Sequence, residues 1–253
     1  MFAGIVNLLV DPDGRLRIVD VPGFNNIKIA PKQDSRQGKA VALQQCKYDI
    51  VIQGSSTAEI GLNPASKMFT GRPVYNAALK ASSMHEIYRL AVHTVQYQAP
   101  EAVLIGLDFY AFNKGQTFEE DYADSVLAES PDAGGLVQYL LSIKTLMAAA
   151  VTVKWNVRGI AKGCAHNGGN SGWQNYQKVK GVRGAFDFLL VRYMVNPNTY
   201  GNYVLGDEQL REFEKVLRLY TEKNIRVYVF VSPIHAALLT LIQELGLQAK
   251  YND

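Results

Sequence analysis

Three apolar runs in this chain each end in a residue that could do chemistry. Ser55 and Ser56 follow Ile50-Val51-Ile52-Gln53-Gly54, Asp108 follows Ala102 to Leu107, and Ser232 and His235 follow Val227 to Val231. Runs apolar on both faces suit strands inside a parallel sheet. In such sheets functional groups collect at the carboxyl ends of the strands. A hydroxyl, an imidazole and a carboxylate, each just past a separate strand, are the parts of a nucleophile, a base and an orienting acid. Those roles would fall to Ser56, His235 and Asp108. Each residue also has a plainer job: Ser56 as a helix cap or phosphate-turn residue, Asp108 in a cap or turn, His235 as a helix-start residue.

Other chemistries find less footing. No Lys follows Gly54 at the spacing of a phosphate-binding loop, and no G-x-G-x-x-G is present, so no nucleotide cofactor is expected. His85 and His93 fall in one helix and read as surface or packing residues, and His166 lies in a Gly/Asn-rich loop. No His, Cys or carboxylate pair has the spacing of a metal site, and no metal is expected. Cys46 and Cys164 read as two buried or half-buried thiols; a bridge between them would require life outside the cytosol.

The elements that must position these residues can be read from periodicity. The chain has 253 residues, 48% hydrophobic and 19% charged, which suits one large α/β domain over 1–253 and excludes a largely disordered chain. With 26 Lys and Arg against 23 Asp and Glu, the net charge of +3 is too small and scattered to indicate nucleic acid or an anionic membrane. Residues 1 to about 34 read as irregular, with turns at Asp11-Pro12-Asp13-Gly14 and Pro22-Gly23. Within them MFAGIVNLLV reads as a buried first strand, since its ten residues are half of the roughly 20 that span a bilayer.

The pattern then predicts a helix over about 36–46 and strands at 48–53 and 74–76. A helix opened by a Ser83/Glu86 capping box stops before Pro100, ahead of the strand at 102–107. A helix over about 134–152 ends near the polar loop 162–173. A helix started by Asp207 presents Leu210, Phe213, Leu217 and Tyr220 on one face. A buried strand at 227–231 and a helix at 236–245 ended by Gly246 complete the pattern. The alternation predicts a three-layer α/β/α sandwich with a mainly parallel sheet.

Four blocks in order, DIVIQGSSTAEIGLNP, PVYNAALKASSMHEIYRL, VLIGLDFYAFN and VYVFVSPIHA, resemble the bacterial SGNH-type (GDSL-like) hydrolases. Within them the pattern is similar to envelope proteins distantly akin to polysaccharide O-acetyltransferases. The resemblance covers roughly residues 40 to 245. It implies Ser56 as nucleophile on a tight turn permitted by Gly54, with helix N–H groups aimed at the Ser oxygen. It implies an ester substrate, an O-acyl group on a carbohydrate.

The departures are specific. Ala81 stands nearest the Gly whose N–H joins the family's oxyanion hole, and Asp108 stands where an Asn side chain does. Ser232 replaces the Asp of the Asp-x-x-His block, leaving His235 alone. Relatives of this kind carry that block farther along and begin with a membrane anchor, of which MFAGIVNLLV would be the remnant. The chain then reads as soluble by itself and as part of an anchored, periplasm-facing parent. Two functions follow: a serine esterase or O-acyltransferase, or an inactive module of the same fold that binds a glycan or an envelope partner. In the second, Trp155, Trp173 and Tyr176 would stack on sugar rings.

Overall fold

The computed structural model describes residues 2–28, 31–130, 132–160 and 172–252, with all of their side chains except those of 172–180, 182 and 185. His166 and Cys164 lie outside the described residues, and Trp173 and Tyr176 outside the described side chains. The elements begin with α1 (Phe2–Val10), α2 (Arg36–Gln45), β1 (Ile50–Gln53), α3 (Ser56–Gly61), β2 (Val74–Asn76), α4 (Met84–Tyr97) and β3 (Ala102–Leu107). They continue with α5 (Ala133–Leu141), α6 (Ile143–Val157), α7 (Gly172–Val195), α8 (Asp207–Glu222), β4 (Arg226–Val231), α9 (Ala236–Glu244) and α10 (Gln248–Asn252). The chain packs as two compact units, Met1–Lys47 with Glu120–Ala165, and Tyr48–Glu119 with His166–Asp253.

The regular structure described in the first unit is helical. The segment expected as a buried strand is the helix α1, which packs against α5 and α6. Among the described residues of this unit no strand is at hand to pair with it, and a backbone without a partner strand satisfies itself best as a helix. Its buried Asn7 is the tie: Nδ2 donates to the carbonyls of Leu140 at 2.8 Å and Ser142 at 3.1 Å. The single helix expected over 134–152 is two, because Ser142 turns extended and caps α6 by accepting the Thr145 N–H. No single helix among the described residues is long and apolar enough to cross a membrane; α5 and α6 reach that length only together and are bent by 65°.

The Asp11–Gly14 turn forms as predicted and is held by a carboxylate. Asp11 is wholly buried and sits at φ 45°, a conformation Asp tolerates better than most residues. It accepts the N–H groups of Arg15 at 2.9 Å, Leu16 at 2.9 Å and Arg17 at 2.7 Å, and the Tyr139 hydroxyl at 3.0 Å. Nearby, the buried Lys28 donates to the Val10 carbonyl at 3.1 Å and pairs with Asp20 at 3.2 Å. Cys46 is disulfide-bonded, which departs from the expected free thiol.

The second unit carries a four-stranded, all-parallel sheet in the order β2-β1-β3-β4, within a three-layer α/β/α arrangement. Ile50 pairs in register with Val74 and Ala102, and Leu107 with Val231. One core cluster joins Ile50, Ile52 and Val74 to Ala58, Phe69 and Ala78. The capping box at the start of α4 forms, with Glu86 accepting the Ser83 N–H at 2.9 Å and Ser83 accepting the Glu86 N–H at 3.2 Å.

Two expectations change here. Helix α8 is capped by Gly206, with Asp207 inside its first turn, and it buries Glu212, Val216 and Tyr220 while Leu210 is exposed. Strand β4, expected to be buried, ends the described sheet and leaves Tyr228 54%, Val229 43% and Val231 63% exposed. Its sequence is that of a central strand; its place is an edge with one partner.

Candidate functional site

The strand order places the first two polar clusters together. The chain leaves β1 for β2 on one side and returns to β3 on the other, so the crevice of the sheet opens past the ends of β1 and β3. Gly54 makes the turn at φ 132° and lies so close to β3 that an added Cβ would sit 2.5 Å from the Gly106 carbonyl oxygen. A side chain on Gly106 would in turn strike Ala58 and Phe230. These two glycines bring Ser55 and Asp108 into contact.

Ser55 is the N-cap of α3. Its buried hydroxyl accepts the Thr57 N–H at 3.2 Å and donates to Asp108 Oδ2 in a short hydrogen bond. The capping job thus belongs to Ser55, and Ser56 occupies the first helical position, only partly buried. Ser56 borders a cavity of about 290 Å³ with Lys80, Ala81, Tyr110, Arg192 and Asn196. Ala81 holds φ 49°, a left-handed conformation that glycine adopts far more readily. Its carbonyl is fixed by Gln116 Nε2 at 3.0 Å, and its loop is anchored to Gly54 O by the Leu79 N–H at 2.9 Å and the Ser82 hydroxyl at 3.1 Å.

Asp108 faces a second cavity, of about 330 Å³, with Thr57, Ser232 and His235. Burial raises its pKa above the ordinary carboxylate range, opposed by hydroxyls of Ser55, Thr57 and Ser232. Among the described residues no cation offsets its charge. The Ser232 hydroxyl lies near enough to favour the ionised form, yet no partner meets hydrogen-bond geometry, and this 2%-exposed residue keeps an unsatisfied oxygen. Tyr110 is buried beneath both cavities. Its pKa is raised well above the usual phenol value, first by burial and then by the charge of Asp108, with the Ser55 and Ser56 hydroxyls acting the other way. The phenol therefore keeps its proton.

His235 is placed differently. It caps α9, its Nδ1 accepting the Ala237 N–H at 3.1 Å, and its ring meets Phe186 edge-on with centroids 4.3 Å apart. The proton of the neutral ring is then on Nε2. His235 and Ser56 border different cavities, and no hydrogen bond joins Ser56 to a histidine among the described residues. Of the three predicted residues, Asp108 is held by Ser55 beside Ser56, and His235 faces Asp108 across the other cavity.

His85 pairs with the buried Glu212 at 2.5 Å, and His93 is buried against Tyr97. Among the described residues no group of His, Cys, Asp and Glu could hold a metal ion. Tyr110, Tyr193 and Tyr200 were not singled out by sequence reasoning. The signal available was the aromatic pair Phe109-Tyr110 directly after Asp108, which reads equally well as core.

No family model, no curated protein and no solved structure matches the chain.

Proposed function

We propose that the chain carries an SGNH-like serine acyl-transfer site, acting on an O-acyl ester of a carbohydrate with Ser56 as the nucleophile. One observation carries this reading: Ser56, at the crevice between β1 and β3, shares its cavity with Ala81 held at φ 49°. A residue kept in a left-handed conformation beside a candidate nucleophile marks a backbone shaped for a task, at a cost of order 1–3 kcal/mol.

In the reaction the Ser56 oxygen attacks the ester carbonyl, and the bond from the acyl carbon to the sugar oxygen breaks. The Ser56 proton leaves with the sugar as its hydroxyl, and water or an acceptor hydroxyl then takes the acyl group and returns its own proton to Ser56. The backbone N–H groups of Ser56 and Ala81 are the donors for the oxygen that gains charge. The Tyr110 phenol, protonated, borders the same cavity as Ser56. Because α3 is a single short helix of six residues, the individual N–H groups matter more here than a helix dipole. Lys80, Arg192, Asn196 and Asn198 make the rest of the cavity polar, which suits a hydroxylated acceptor. The disulfide at Cys46 fits a protein of an oxidising compartment, as an envelope role requires.

The Ser56 proton needs a base, and His235 has its Nδ1 engaged by Ala237. That observation favours a second reading, a module of the same fold that binds an acylated glycan without turning it over. Labelling with a fluorophosphonate separates the two. Reaction of the wild type, lost in Ser56→Ala, is expected of the enzyme. Labelling that persists in Ser56→Ala would remove Ser56 from the mechanism. An unlabelled wild type that still binds acetylated oligosaccharide would leave the binding module.

A further inference from the structure

We propose that the cavity in front of Asp108 is a binding site for a primary alkylammonium group, its nitrogen held by Asp108 and Ser232 and its carbon chain by a ring of aromatic side chains. The inference is independent of the Ser56 reading, since Ser56 borders the other cavity.

The walls are the first observation. Phe109, Tyr110, Phe186, Tyr193, Tyr200 and Tyr251 line this cavity together. Tyr193 lies 5.8 Å from Tyr200 and 6.1 Å from Tyr110 between ring centroids, and Phe109 meets Tyr251 edge-on at 5.4 Å, so the rings form one continuous surface. Aromatic faces carry partial negative charge and attract cations, more strongly where water is excluded. At about 330 Å³ the space is at the small end of ligand sites, which run from roughly 300 to 1,000 Å³.

The floor is the second observation. A buried carboxylate is ordinarily paired, because an isolated ion still costs several kcal/mol after relaxation. Among the described residues Asp108 has only neutral hydroxyls around it, of which Ser55 alone meets hydrogen-bond geometry, and its negative charge reaches outward to raise the phenol pKa values of Tyr110, Tyr193 and Tyr200. Beside it the Ser232 hydroxyl is buried and without a hydrogen bond. One guest completes both. An ammonium group supplies the missing charge to Asp108 and an N–H to the Ser232 oxygen. His235 lies at the rim with its Nδ1 taken by the Ala237 N–H, and among the described residues no hydrogen bond joins it to Asp108. A neutral lipid chain would leave the carboxylate uncompensated, and an anion would be repelled.

Calorimetric titration of the whole chain at pH 7 with n-hexylammonium, hexyltrimethylammonium and 1-hexanol tests this. The primary amine should bind at least tenfold tighter than the alcohol, and several-fold tighter than the trimethylated cation, which has no N–H to give. Asp108→Asn should remove the advantage over the alcohol, Ser232→Ala should narrow the advantage over the trimethylated cation, and Ser56→Ala should leave binding unchanged. Equal affinity for amine and alcohol in the wild type would overturn the proposal, and this comparison stands even if Asp108→Asn fails to fold. A preference for the amine that survives in folded Asp108→Asn would overturn it as well.

Discussion

The two units each bury an aspartate at a turn, and they treat its charge in opposite ways. In the first, Asp11 is surrounded by three backbone N–H groups and the Tyr139 hydroxyl, and its neighbour Asp13 has Arg15 and Lys144 close enough to pull down a pKa that burial raises. In the second, Asp108 has hydroxyls alone, and burial prevails. A carboxylate whose lone pairs are filled by the backbone is part of the scaffold. One left short of a cation is a strained element, kept because something other than stability uses it.

The contrast can be broken at several points, and the largest effect belongs to the scaffold. Asp11→Ala removes the acceptor of four hydrogen bonds. It should lower stability by about 3–5 kcal/mol, read as a fall in the urea midpoint, while leaving fluorophosphonate labelling of the folded fraction intact. Next comes the turn that joins β1 to the site. Gly54→Ala forces a Cβ against the Gly106 carbonyl at an unfavourable φ, and a loss of about 2–3 kcal/mol is expected together with reduced labelling at Ser56. Ala81→Gly should go the other way, gaining about 1 kcal/mol by relieving its left-handed backbone, measurable as a rise in melting temperature.

The smallest effect has the most telling sign. The Asp108 pKa is raised in the fold, so between the ordinary value near 3.8 and its folded value the native state holds more protons than the unfolded chain. Its contribution to stability is therefore complete at low pH and is lost as pH rises through that window. Asp108→Asn should be more stable than the wild type at pH 7, with the gap shrinking on acidification to pH 4. The Asp13 contribution has the same sign in both proteins and cancels in the difference. A gap that stays constant with pH would show that burial does not raise the Asp108 pKa.

Much of the second unit was legible in the chain itself. The runs at 50–53 and 102–107 and the Ser83/Glu86 box are local signals, in which sequence and structure answer to the same few residues. Segment 2–10 was not, because ten apolar residues fit a helix or a strand equally until a partner is known, and the partners, α5 and α6, lie more than a hundred residues away. At the site, the proximity of Ser55 to Asp108 follows from β1 and β3 lying side by side, an order that the alternation of elements leaves open. The place of His235 at a helix start was legible as its plainer reading; that its Nδ1 accepts the Ala237 N–H was not, since it depends on a rotamer. Tyr110 and Tyr193 were hidden because an aromatic residue lining a cavity and one filling a core have the same spacing.

Strand β4 carries a consequence for how the protein behaves in bulk. Among the described residues no strand pairs with its outer edge, and of its six residues five are apolar or aromatic and only Arg226 is charged. Such a ribbon is a template on which another extended chain can grow, and natural edges usually carry a lysine, a proline or a bulge to prevent this. The described β4 carries no lysine or proline. Concentrated solutions should therefore associate through this edge, and a gatekeeper charge, as in Val229→Lys, should keep the protein dispersed without disturbing the crevice on the far side of β3.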